Sequence, residues 1–176
     1  MIAFVIGALV DIDPLASLKL DLSAVVWGVL GTLPMYFAFT LTYDLPALRE
    51  IKALLRDRLG PLLAACPWPA LLYLGVLAGV TEEILFRGCL QPWLEKDWGW
   101  LGGLVFSNLI FALVHWITPL YALLAGLSGL YLGLALDAGD ERNLLTPLLI
   151  HTLYDFLAFS VVAHTYRQRP VRPRDD

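Results

Sequence analysis

Residues 60–81 contain no charged side chain, and this stretch leads directly into two adjacent acidic residues, Glu82 and Glu83. A carboxylate at bilayer depth is unfavourable by about 2.5–3.5 kcal/mol on insertion scales, so each one needs a partner or a function. Arg87 lies one helical turn after Glu83 and can neutralise it, whereas Glu82 points about 100° away and has no local partner. We therefore expect Glu83 and Arg87 to form a structural ion pair and Glu82 to remain available for chemistry.

The composition of the whole chain indicates an integral membrane protein. Of its 176 residues, 59% are hydrophobic and only 16% are charged, against about 25% in an average soluble domain. The net charge of −4 is small. The sequence has no basic stripe interleaved with aromatic residues, which is the pattern that would predict a nucleic-acid partner. The two cysteines, Cys66 and Cys89, lie in apolar surroundings without a metal-type spacing, so we expect neither a disulfide nor a metal site from them.

The apolar stretches predict an all-α fold, a polytopic transmembrane helix bundle with about five to six membrane helices plus one amphipathic surface helix. Residues 2–10 are too short to span a bilayer, and residues 44–59 combine helical apolar spacing with many charges, as in a helix at the membrane surface. Residues 1–166 form a single domain in this interpretation, and residues 167–176 form a basic tail. The predicted spans are 23–43, 69–94, 100–118, 120–136 and 144–164.

Lysine and arginine in the connections predict the topology. They concentrate in residues 44–59 and in the tail 167–176, so both segments are expected to face the cytoplasm, with four spans between them. The connection over residues 116–121 carries no charge, unlike the other connections. We therefore expect it to form a hairpin buried within the bundle, directly after His115.

Two of the three histidines, His115 and His151, lie inside predicted spans. His151 and Asp155 are one turn apart on one helix, as are Phe111 and His115 on another. Since hydrocarbon disfavours all these ionisable groups, we expect them to face one polar cavity with Glu82. There Glu82 would act as a general base on water that His115 orients, and His151, held by Asp155, would stabilise an oxyanion. Straight-helix counting nevertheless puts Glu82, His115 and His151 at different depths.

Three motifs occur in order on separate predicted helices: E-E-x-x-x-R, F-x-x-x-H and H-x-x-x-D, formed by Glu82, Glu83, Arg87, Phe111, His115, His151 and Asp155. This set resembles the motifs of the CPBP family, which comprises the type II CAAX prenyl endopeptidases and the bacterial abortive-infection and bacteriocin-processing or immunity proteins. The resemblance runs from about residue 69 to residue 164.

The resemblance implies an intramembrane glutamic peptidase with no cofactor and no obligatory catalytic metal. It matches Glu82 to the catalytic glutamate, His115 to its partner in water activation, and His151 with Asp155 to an oxyanion site. Glu83, Arg87 and Phe111 match supporting positions. The eukaryotic enzymes have asparagine at the last motif position. An ionised Asp155 cannot donate a hydrogen bond, so it would act only when protonated or by holding His151.

Three functional hypotheses remain open from the sequence. The first is a peptidase that acts on a membrane-associated peptide or protein, with prenylated substrates neither required nor excluded. The second is a non-hydrolytic membrane binding or immunity protein of the same fold, and the third is a metalloenzyme that uses the histidines and carboxylates. Against the family it resembles, the compact length favours a bacterial-type member in the inner (cell) membrane, and the basic tail favours a C-terminus in the cytoplasm.

Overall fold

The computed structural model describes residues 2–42 and 45–169. Within these ranges the chain is all-helical and has no strand. The helices are α1 (Ile2–Val10), α2 (Leu22–Leu41), α3 (Arg49–Ala65), α4 (Trp68–Leu85), α5 (Gln91–Val114), α6 (Pro119–Ala135) and α7 (Leu145–Arg167). A short 3₁₀ turn, Pro46–Leu48, precedes α3, and a π-helical turn, Phe86–Leu90, joins α4 to α5.

The predicted all-helical membrane protein is confirmed at the level of its helices. Three segments are long and apolar enough to cross a membrane: Leu22–Leu41, the 47-residue stretch Trp68–Val114, and Leu145–Arg167. Helix α6 is apolar but shorter. Of the predicted basic tail, residues 170–176 lie outside the described residues, as do residues 43 and 44 at the start of the predicted surface helix.

The long stretch is bent at Gly99 into two antiparallel arms. Gly99 has φ 68° and ψ 176°, a conformation that residues with a side chain rarely adopt. Across the bend, the Phe86 and Phe111 rings lie 4.9 Å apart, and a Cβ atom added to Gly103 would lie 2.7 Å from the Gln91 carbonyl oxygen. The break agrees with the two separate helices that the sequence predicts over 69–94 and 100–118.

Helix α7 lies at the centre of the bundle and packs against α2, α3 and α4. Glycines allow the closest approaches, because a Cβ atom on Gly79 would lie 2.9 Å from the Thr152 amide nitrogen and one on Gly28 would lie 2.7 Å from the Leu149 Cβ atom. Small residues of this kind let membrane helices pack backbone to backbone. The tight packing positions the first half of α7 beside the last turn of α4.

The predicted boundary of the surface helix at residue 59 is wrong. Helix α3 continues to Ala65, with Pro61 inside it. The continuation is favourable because Leu63 is buried in a cluster with Leu71 and Ala163, so its apolar face extends the bundle core. The polar first half of α3 therefore leads directly into a half that packs against α7.

Candidate active site

The predicted ion pair lies where α4 meets the π-helical turn. Arg87 Nη1 donates a hydrogen bond to Glu83 Oε1 at 3.0 Å, and both side chains are fully buried. The π-helical turn, Phe86–Leu90, contains Arg87 and includes an extra residue in the helical winding. Such bulges are frequent at functional sites because they redirect the side chains around them.

Arg87 has further partners that sequence reasoning missed. Its Nη2 donates to Asn108 Oδ1 at 2.9 Å and to the Gly129 carbonyl at 2.5 Å, and its guanidinium lies 4.9 Å from the centre of the Phe111 ring. A signal for Asn108 was available, since it lies three residues before Phe111 and seven before His115, which places all three on one helical face. No local pattern indicates the Gly129 carbonyl.

The Glu83 carboxylate also holds His151. The Nδ1 atom of His151 lies 2.7 Å from Glu83 Oε1, whereas Asp155 Oδ2 lies 3.6 Å from Nε2 of the same ring. The sequence predicts that Asp155 holds this imidazole, and in the structure Glu83 makes a second and shorter contact with the same ring. Glu83 thus connects the guanidinium on one side to the imidazole on the other, within a region closed to solvent.

The Glu82 carboxylate faces both imidazoles, and its Oε2 atom has no hydrogen-bond partner among the described residues. Its Oε2 atom is buried, 3.6 Å from His115 Nε2 and 4.0 Å from His151 Nε2. The Nδ1 atom of His115 lies 2.8 Å from the Phe111 carbonyl oxygen, and the Phe111 and His115 rings stack with centroids 4.2 Å apart. Since a carbonyl only accepts, the proton of the neutral His115 ring is on Nδ1, and Nε2 presents a lone pair toward Glu82.

The three groups therefore meet, although straight-helix counting places them at different depths. Glu82 lies 17 residues before Gly99 and His115 lies 16 residues after it, so the antiparallel arms bring them to the same level. Helix α7 begins deep in the bundle, where Leu144 lies 3.4 Å from the position of a Cβ atom on Gly88. His151 consequently lies level with the end of α4, not near the opposite surface.

The cluster has a buried floor and a more open rim. The side chains of Glu83 and Arg87 are 0% and 1% exposed, that of His151 is 9% exposed, and those of His115 and Glu82 are 26% and 31% exposed. Asp155 is intermediate at 18%. The floor is thus a fixed polar scaffold, and the rim is accessible to a small molecule such as water. In the described part of the chain, no three His, Cys, Asp or Glu residues are arranged to hold a metal ion.

Fold and site together define an integral membrane protein whose helices surround a cluster of carboxylates and imidazoles. The family model described as Type II CAAX prenyl endopeptidase Rce1-like matches residues 64–157, more than half of the chain and all seven motif residues. The chain belongs to this family, so the resemblance stated from its motifs is confirmed. No curated protein and no solved structure matches the chain.

Proposed function

We propose that this protein is an intramembrane glutamic-type endopeptidase, which hydrolyses a peptide bond of a membrane-associated substrate with a water molecule activated by Glu82 and His115. Membership of the CAAX prenyl endopeptidase family supports a protease function. The site supports the water mechanism, because it offers a carboxylate and an imidazole lone pair side by side and no nucleophilic serine or cysteine among the motif residues.

The observation that carries the proposal is the Glu82 Oε2 atom. This oxygen is buried and without a hydrogen-bond donor, yet it lies within 4.0 Å of two imidazole Nε2 atoms. A buried carboxylate oxygen normally has a partner, so an unpartnered one at the rim of a polar cluster suits a transient partner such as water. Water between Glu82 and His115 would transfer a proton to the carboxylate while its oxygen attacks the substrate carbonyl.

His151 would stabilise the oxyanion that forms in this attack. With Nδ1–H donating to Glu83, the imidazolium form has a second N–H on Nε2 that can donate to a developing negative charge. Asp155 lies 3.6 Å from that Nε2 and, when ionised, would help to hold the ring in its charged form. In this proposal Asp155 positions His151, and Glu83 and Arg87 support both.

The remaining features of the proposal concern the membrane. Five helical segments would cross it: α2, the two arms on either side of Gly99, α6 and α7. The basic residues of α3 and of the chain after α7 favour the cytoplasm for this end of the bundle, in a bacterial inner membrane. The substrate would be a membrane-associated peptide or protein, and prenylated substrates are included in the test.

The test is mass-spectrometric detection of cleavage in a mixed library of membrane and prenylated peptides, with purified protein in nanodiscs and EDTA present. Wild type is expected to produce cleavage products, and Glu82→Gln is expected to lower the rate by at least about 100-fold, because it removes a general base. Glu50→Gln, on the exposed side of α3, is the matched control and should cleave as wild type does.

Three results would contradict the proposal. Equal cleavage by wild type and Glu82→Gln would exclude Glu82 as the base. Activity that is lost in EDTA and restored by Zn²⁺ would favour the metalloenzyme hypothesis. Partner binding or immunity that persists in Glu82→Gln, without cleavage by either protein, would favour a non-hydrolytic function.

A further inference from the structure

The hydroxyl oxygen of Thr152 is buried and has no hydrogen-bond partner among the described residues. Thr152 follows His151 directly on α7, and only 6% of the residue is exposed. Elsewhere in these helices, threonine hydroxyls donate to the backbone carbonyl four residues earlier, as at Thr32 (2.9 Å) and Thr81 (2.7 Å). Thr152 departs from this pattern, so its hydroxyl is available to a group outside α7.

The Thr152 hydroxyl faces α4 one turn before Glu83. A Cβ atom on Gly79 would lie 2.4 Å from Thr152 Oγ1, so the hydroxyl lies over the backbone of α4 at Gly79. Side chains of an α-helix tilt toward its N-terminus, which brings the Glu83 carboxylate back toward the level of Gly79. The Oε1 atom of Glu83 lies 2.7 Å from Nδ1 of His151, the residue next to Thr152. The hydroxyl and the carboxylate therefore border the same buried space between α4 and α7.

The second oxygen of Glu83 is the group that complements this hydroxyl. Glu83 Oε1 accepts a hydrogen bond from Arg87 and contacts His151, whereas Glu83 Oε2 is buried and without a partner among the described residues. A buried oxygen left unpaired is unfavourable, and more so on a charged group. Glu83 Oε2 and Thr152 Oγ1 do not bond to each other directly. One water molecule between them would satisfy both, because buried waters bind where such polar groups converge.

We propose that Thr152 is a positioning residue for the candidate active site: its hydroxyl donates to a buried water molecule, which donates in turn to Glu83 Oε2. The carboxylate is then held at both oxygens, so it cannot rotate away from the imidazole of His151. Thr152 acts through Glu83 and touches no substrate. These hydrogen bonds do not depend on the proposed function, but their effect on cleavage rests on it, because there His151 stabilises the oxyanion.

The first test is NMR of the full chain in nanodiscs, with the proton on Nδ1 of His151 as the probe. Thr152→Val keeps the shape of the side chain but removes the hydroxyl, so the freed Glu83 carboxylate should shift or broaden this proton signal. Thr152→Ser keeps a hydroxyl and should restore the wild-type signal. Magnetisation transfer from a long-lived water to the methyl group of residue 152 is expected in wild type and should be lost in Thr152→Val.

Thr32→Val is the matched control. Thr32 is also buried on a helix that packs against α7, but its hydroxyl donates to a carbonyl of its own helix. The substitution therefore removes a buried hydroxyl without changing the partners of Glu83, and the His151 signal should stay as in wild type.

The second test is the cleavage assay on the same proteins. Thr152→Val should lower kcat about tenfold, less than the roughly 100-fold loss expected when an oxyanion-hole donor is itself removed. KM should stay within about twofold of wild type, because a displaced oxyanion donor affects the transition state and not substrate binding. Thr152→Ser should recover most of the rate, and Thr32→Val should cleave as wild type does.

An unchanged His151 signal in Thr152→Val would overturn the proposal, and so would an equal change in Thr32→Val. A changed signal that Thr152→Ser does not restore would assign the effect to packing and overturn the role of the hydroxyl. Wild type without magnetisation transfer from water would overturn the bridging water. If wild type cleaves no peptide, the proposed function fails while the NMR comparison still decides the role of Thr152, so the two failures are distinguishable.

Discussion

A guanidinium among apolar helices needs acceptors for its N–H groups, and the two terminal nitrogens of Arg87 have acceptors from three parts of the chain, whereas its buried Nε has none among the described residues. Glu83 supplies a carboxylate, Asn108 a side-chain amide oxygen and Gly129 a backbone carbonyl. The ring of Phe111 covers one face of the cation. Removal of any one group would leave the others buried without their partner, which is more unfavourable than the loss of a single exposed contact.

Replacing Arg87 with methionine should therefore destabilise the protein severely. Breaking a buried ion pair by removing one partner lowers the free energy of unfolding by about 3–5 kcal/mol, because the Glu83 carboxylate is left uncompensated. The measurement is the unfolding of Arg87→Met in detergent micelles, with Arg58→Met as the control on an exposed arginine. A loss as small as that of the control would contradict the structural role assigned to Arg87.

At this scale, the sequence predicts what depends on helical periodicity and misses what depends on the tertiary fold. The Glu83–Arg87 pair follows from a spacing of four residues. The shared polar cluster follows because a charged side chain in hydrocarbon is unfavourable. The contact between Glu83 and His151 joins residues 68 positions apart, so no local pattern contains it. The sequence therefore pairs this ring with Asp155, whereas in the structure Glu83 makes the shorter contact with it.

The close approach of α4 and α7 is the element-level feature on which the cluster depends. Gly75 and Gly79 of α4 face the backbone of α7 at Thr152 and Phe156, with no room for a Cβ atom. Glu82 and Glu83 follow Gly79 within one turn, so the separation of the two helices sets their distances to His151. A wider separation of the two helices would lengthen these distances.

Gly79→Ala should separate these helices. The added Cβ atom would lie 2.4 Å from Thr152 Oγ1 and 2.9 Å from the Thr152 amide nitrogen, and overpacking of this kind costs about 1–3 kcal/mol. We expect a lower unfolding temperature together with slower peptide cleavage, measured on the same preparations. Gly139→Ala is the control because its nearest atoms lie 3.8 Å away. Identical behaviour of the two variants would show that the α4–α7 contact can relax without consequence.

Gly99→Ala tests a different cause of strain. No atom lies within 4 Å of the added Cβ, so packing is not affected, but φ of 68° with ψ of 176° is accessible almost only to glycine. The substitution should lower the free energy of unfolding by about 1–3 kcal/mol through backbone conformation alone. Chemical denaturation of Gly99→Ala beside Gly139→Ala measures this difference, and a result within error of the control would indicate that the bend does not need glycine.

The apolar stretches of the sequence predict that the helices exist, but they predict less well the residues at which each helix begins and ends. The reversal between the predicted spans 69–94 and 100–118 agrees with the bend at Gly99. The end of α3 was misplaced because Pro61 suggests a break, whereas burial of Leu63 against α7 favours a longer helix. The depth of His151 was misjudged because only the tertiary structure shows α7 beginning beside Gly88.

For the molecule as a whole, one set of charges near the bend at Gly99 joins distant segments of the chain. Arg142 pairs with Glu95 at the start of α5 and with Asp137 after α6, and Trp100 Nε1 donates to Asp137 at 2.9 Å. Partial burial alone would raise the pKa of Asp137, but hydrogen bonds from Arg142 and Trp100 and the charge of Arg142 lower it below its ordinary value. These contacts hold the connection before α7 against the bend at Gly99.

This arrangement predicts loss of stability in acid. Because the pKa of Asp137 is lowered in the folded protein, its contribution is complete above the ordinary aspartate value of about 3.9 and is lost as the pH falls through the lowered value. The unfolding temperature of wild type should therefore fall more steeply below about pH 4 than that of Asp137→Asn. Asp140→Asn, exposed in the same connection, should follow wild type. Parallel curves for wild type and Asp137→Asn would contradict the prediction.

The positions of the Glu83 partners in the chain also determine the order in which the polar cluster is assembled during biosynthesis. Arg87 follows four residues later on the same helical stretch, whereas His151 follows only 68 residues later. A growing chain therefore inserts the Glu83 carboxylate with its counter-ion one turn away, well before α7 has been translated. The second imidazole beside Glu82 arrives with α7, so a nascent chain cannot hold the complete polar cluster until its preceding helices have been inserted.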